Sequence, residues 1–122
     1  MTAKLFGVLL AAALLTTTAW AHDPKPQHGG RTADAGDHHV ELVTKADAVD
    51  LYLTDHDNKP IKAVGYKGVA ILVADGKSQR IVLEPAGESR LSGKATGNLP
   101  NTPKGVVQIT PPKGKTVQVR FN

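Results

Sequence analysis

The run GVAILVADGKSQRIVL, Gly68 to Leu83, decides how the fold is read. Gly68 to Ala74 is continuously apolar and rich in branched side chains, as is typical of a central strand. Asp75-Gly76 is the dipeptide preferred in a two-residue hairpin turn, because both positions need a positive φ. Gln79 to Leu83 then returns along the first strand. A chain with such a hairpin at its centre is expected to build a β body around it.

Working outward, the same signals recur. Val40 and Leu42 alternate with His39, Glu41 and Val43, and Val49, Leu51 and Leu53 repeat the pattern after a hairpin-length link from Thr44 to Ala48. Pro60 to Tyr66 reads as an irregular or edge segment. Glu84-Pro85-Ala86-Gly87 breaks the central hairpin, and Arg90 to Thr96 is a weaker strand suited to a sheet edge. Val106 to Thr110 and Val117 to Phe121 complete the set. Nothing after residue 21 has the period of a helix. About seven short strands divided by Gly, Pro, Asn and Asp predict an antiparallel immunoglobulin-like sandwich over residues 38–122, with a small β-barrel as the alternative.

The start of the chain has the form of a secretory signal. Lys4 precedes the apolar run Leu5 to Leu15, and small residues at Ala19 and Ala21 place cleavage after Ala21. The run is too short for an anchored span, and no later stretch is long enough. These features predict a periplasmic protein, secreted through its signal peptide over residues 1–21. Cleavage leaves 14 Lys and Arg against 11 Asp and Glu, a formal +3, and no cysteine. Coordination by thiolate is thereby excluded, and with Met1 removed so is thioether. The basic residues are dispersed and the remaining aromatics are Tyr52, Tyr66 and Phe121, which argues against nucleic-acid binding.

Residues 22–37 are polar and rich in Pro and Gly, and are expected to form a flexible His-rich arm. His22, His28, His38 and His39 lie close together in sequence, and His56 sits between Asp55 and Asp57 in a turn-like segment. Imidazole and carboxylate are the donors that copper(II) and zinc favour. In a strand only one of His38 and His39 can face a given site, and His39, in phase with Glu41, is the better candidate. Gly29-Gly30 would let the backbone at His28 fold back toward that strand. Hairpin geometry brings the loop of His56 near His39. If cleavage follows Ala21, the amine and imidazole of His22 can chelate a metal together. The predicted ligands are therefore His22, His28, His39, His56 and Asp57. Against this reading, histidines collect in polar arms without function, and Asp55 to Asn58 has the composition of a plain Asx-turn.

Enzyme signatures are absent from the sequence. DGKS at Asp75 to Ser78 is explained by the hairpin, and Ser78, Ser89 and Ser92 lie in no G-x-S-x-G context. No H-E-x-x-H occurs, and the protein is read as non-enzymatic.

HGG at His28 to Gly30, HHVELV at His38 to Val43, LYLTDHDNKPI at Leu51 to Ile61 and VLEPAGESRLSG at Val82 to Gly93 form a further pattern. With them the chain resembles small secreted proteobacterial proteins that are similar to the amino-terminal β-sandwich module of periplasmic adaptor subunits in heavy-metal efflux systems. The resemblance spans roughly residues 26 to 95 and implies a role in heavy-metal resistance as an efflux accessory. The helical hairpin and barrel parts of an adaptor are missing. Two functions are carried forward: a periplasmic buffer or carrier of copper(II) or zinc, and an envelope interaction module that docks on an efflux pump component with incidental histidines. A solute-binding domain would require an apolar cavity.

Overall fold

The computed structural model describes residues 25–122, so the predicted signal segment, its expected cleavage point and His22 lie outside the described residues. Eight antiparallel strands follow in order: β1 (Arg31–Ala35), β2 (His38–Lys45), β3 (Ala48–Thr54), β4 (Lys67–Ala74), β5 (Lys77–Pro85), β6 (Arg90–Lys94), β7 (Lys104–Thr110) and β8 (Val117–Phe121). No helix occurs among the described residues. The strands form one continuous sheet in the order β1-β2-β3-β6-β5-β4-β7-β8. β5 pairs with β4 over most of its length and with β6 only at Glu84 and Pro85. It thus passes from one half of the sheet to the other. The halves enclose one core, as in a sandwich, while the continuous ladder gives the body its barrel character.

The turns explain the register. Asp75 and Gly76 have φ of 52° and 75°, the pair of positive angles that a tight hairpin of matching twist requires, and Ala74 faces Lys77 across it. Gly36, at φ 63°, serves the turn from β1 to β2. Along β3 and β4 the burial alternates strictly, and the inward row is apolar. Leu42, Leu51, Leu53, Leu72, Leu83 and Leu91 are among the fully buried side chains, and the core is aliphatic with Tyr66 and Phe121 as its rings.

Two expectations need correction. Residues 22–37 were expected to hold no element, yet Arg31–Ala35 is strand β1, in register with β2 from Arg31 opposite Leu42 to Ala35 opposite His38. Ala33 and Ala35 supply its inward face, a pattern too weakly apolar to stand out but sufficient once β2 offers a ladder. β6 was expected at an edge but lies inside the sheet, between β3 and β5. Gly93 makes this possible: a Cβ there would collide with the Val82 carbonyl and come within 2.9 Å of Ile81.

The sheet edges β1 and β8 meet through Arg31. Its guanidinium donates to the carbonyls of Pro103, at 2.9 Å, and Asn122, and lies 5.6 Å from the centre of the Phe121 ring. Arg31→Ala removes two hydrogen bonds and a cation–π contact from this seam. Its expected cost is about 1–2 kcal/mol, read as a lower urea midpoint, with faster amide exchange in β1 and β8 than elsewhere.

Candidate functional site

Strand alternation sends His39 and Glu41 to the face of β2 opposite Val40 and Leu42, the face expected to meet solvent. Both are nevertheless buried, at 7% and 6% exposure. The segment from Lys25 to Gly30 covers them. Gly29, at φ 74°, reverses the chain, and Gly30 lies so close to β2 that a Cβ would collide with the Leu42 carbonyl. The fold-back inferred from the glycine pair is thus present, with a strap over the sheet as its result.

Glu41 holds the strap. Its Oε1 accepts the backbone N–H of Gln27 at 3.0 Å and lies 2.9 Å from His28 Nδ1. Its Oε2 accepts the N–H groups of His28 and Gly30, each at 2.8 Å. Burial pushes this carboxyl up, but the bonds from the His28 ring and from the backbone of Gly30, His28 and Gln27 outweigh it and hold it below the usual glutamate range. Tyr52, opposite Glu41 on β3, stacks on the His28 ring with centroids 3.6 Å apart and planes 6° from parallel. Carboxylate, imidazole and phenol ring form one unit.

A second group lies at the adjoining end of β2. His39 faces Asp34 on β1 and Thr54 on β3. His39 Nε2 is 3.2 Å from Asp34 Oδ1, whereas its Nδ1 is buried without a hydrogen-bond partner. The turn after β3 brings up the exposed ring of His56, edge-on to His39 with centroids 5.3 Å apart. Asp55 shapes that turn. Its Oδ1 accepts the N–H groups of Asp57 and Lys59, both at 2.9 Å, and Asn58 adopts φ 60°. The Lys59 bond is the main reason the Asp55 carboxyl sits below its usual range. The Asx-turn read from composition is therefore real, and it also positions a histidine. A small recess of about 20 Å³, lined by His28, His39, Glu41, Tyr52, Thr54 and Asn58 among others, joins the two groups.

Of the predicted ligands, His39 and His56 come together, while His28 is engaged with Glu41 and Tyr52. Asp57 lies exposed on the turn, and His22 is outside the described residues. The carboxylate beside His39 belongs to Asp34, which the sequence reading passed over because β1 was not recognised. Glu41 was placed on the right face but not as the anchor of the strap. His38 points into the body, with Nε2 3.0 Å from the Tyr66 hydroxyl. Among the described residues no three His, Asp or Glu side chains are already gathered closely enough to hold a metal ion. Two imidazoles and a nearby carboxylate are still a nitrogen and oxygen donor set suited to zinc or copper(II). Because the side chain of His56 lies at the surface, it can turn toward an ion at His39 without disturbing the core.

Comparison of the chain with protein-family models, with curated proteins and with solved structures gave no match.

Proposed function

We propose that this is a non-enzymatic periplasmic protein that binds a divalent cation, copper(II) or zinc, and buffers or carries it in heavy-metal homeostasis or efflux. The observation that carries the reading is the approach of His39 to His56, their ring centroids 5.3 Å apart; the Nδ1 of His39 is also buried without a partner, as is that of His38. A buried polar atom without a partner is costly unless something fills its coordination. In this reading His39 supplies its Nδ1 and His56 a second nitrogen, Asp57 supplies oxygen, Asp34 steadies the His39 ring through Nε2, and the amine of His22 can add a further donor. A site of few protein ligands keeps open positions and exchanges its ion readily, as a buffer or carrier needs. The secretory pattern supports the periplasm, and the resemblance to adaptor modules supports the link with efflux.

The test is calorimetric titration of the protein, beginning at His22, with zinc and with copper(II). One equivalent bound at micromolar affinity or tighter is expected for at least one of the two ions. Binding no stronger than that of free histidine would remove the reading.

A further inference from the structure

The outer face of β5-β4-β7-β8 lies on the other half of the sheet from the histidines. Residues opposite one another in antiparallel strands share a face, so the register defines the rows of this surface. One row runs Arg80, Ile71, Val106, Arg120 across four strands, and the next runs Val82, Val69, Gln108. Ser78, Val73 and Lys104 form the row on the other side of the first. Val69, Ile71, Val73, Val82 and Val106 are therefore contiguous, and all are exposed or half-buried among the described residues, Val82 at 52% and Val73 at 39%. Single exposed aliphatics are unremarkable, but a contiguous group with a polar frame marks a contact surface.

The frame is basic. Arg80 and Arg120 close the two ends of the central row, and Lys104 and Lys67 stand at its flanks, with Glu84 as the acidic residue at one corner. Beside Lys67 the face opens into a wide groove of about 560 Å³ lined by Tyr66, Lys67, Val69, Arg80, Val82 and Glu84, among others. We propose that this face docks an acidic protein segment that lays apolar side chains on the valine and isoleucine centre and carboxylates on Arg80 and Arg120. Arginine pairs with carboxylate in a planar, two-pronged way and is enriched at protein interfaces. A second copy of this chain would bring like charges together. A lipid surface is disfavoured because the face carries no exposed aromatic anchor, Tyr66 being buried. The proposal does not depend on metal binding.

The test titrates isotopically labelled protein with a peptide alternating glutamate and valine, and separately with its lysine counterpart, following backbone amides by NMR. The glutamate peptide is expected to shift amides of Ile71, Val73, Arg80, Val82, Val106 and Arg120. Its affinity should fall at least about tenfold in the double variant R80E/R120E and should weaken with added salt. V82T/I71T, which keeps the charges, should also weaken binding, showing that the apolar centre takes part. Unchanged spectra away from the substitutions establish that the variants fold. The proposal is overturned if the face does not respond, if both peptides bind equally, or if the face binds phosphatidylglycerol vesicles but not the peptide. Self-association through this face in sedimentation would also overturn it.

Discussion

Glu41→Ala is expected to detach the strap at Gln27 to Gly30 and to destabilise the protein by about 2–4 kcal/mol at neutral pH. The substitution removes a buried carboxylate that accepts three backbone N–H groups and bonds the His28 ring. Hydrogen bonds to a charged group are worth more than neutral ones, but the strap donors regain water once they lift, which limits the loss. The diagnostic is amide exchange: Gln27, His28 and Gly30 should lose protection while β4 and β7 keep theirs. The sign of the pH dependence follows from the downward shift of the Glu41 carboxyl. In the folded state this group releases its proton more readily than in the unfolded chain, so its contribution is complete above the ordinary glutamate range. It is lost as the pH falls through the lower folded value. Glu41→Gln should therefore flatten the acid limb of stability against pH, leaving the share that belongs to Asp55. An acid limb identical to that of the unsubstituted protein would mean that the carboxylate does not hold the strap.

His39→Ala is expected to weaken zinc or copper(II) binding by roughly a hundredfold, equivalent to about 2.7 kcal/mol, with His56→Ala close behind. His39 is the buried member of the pair and fixes the position of the site, while His56 is delivered by a turn that Asp55 holds. His28→Ala should behave differently, losing stability through its contacts with Glu41 and Tyr52 and shifting metal affinity much less. Calorimetry and urea unfolding on the three variants separate these effects. Equal affinity losses in all three would assign His28 to the site as well and would require the strap to rearrange around the ion.

The Asp75-Gly76 hairpin and the alternation in β2 and β3 were legible because local chemistry and tertiary role agree there. β1 was not, since alanine is the only apolar residue on the inward face of RTADA, which it shares with Arg31, and the segment becomes a strand through pairing with β2. That omission also hid Asp34, the carboxylate nearest His39. The role of Glu41 was hidden for another reason. Alternation assigns a residue to a face but does not say what covers that face, and here the cover is a segment more than ten residues earlier in the chain. The neighbourhood of His39 and His56 was readable from hairpin geometry, because a turn at the end of β3 must return to where β2 begins.

The most direct measurement of the central claim is anomalous diffraction at the zinc and copper edges from crystals of the protein grown with one equivalent of metal. The expected result is a single strong peak about 2.0–2.1 Å from a ring nitrogen of His39 and one of His56, with a carboxylate oxygen completing the contacts. A peak confined to exposed side chains away from β2, or none at a saturating ratio, would contradict the assignment of this end of the sheet as a metal site.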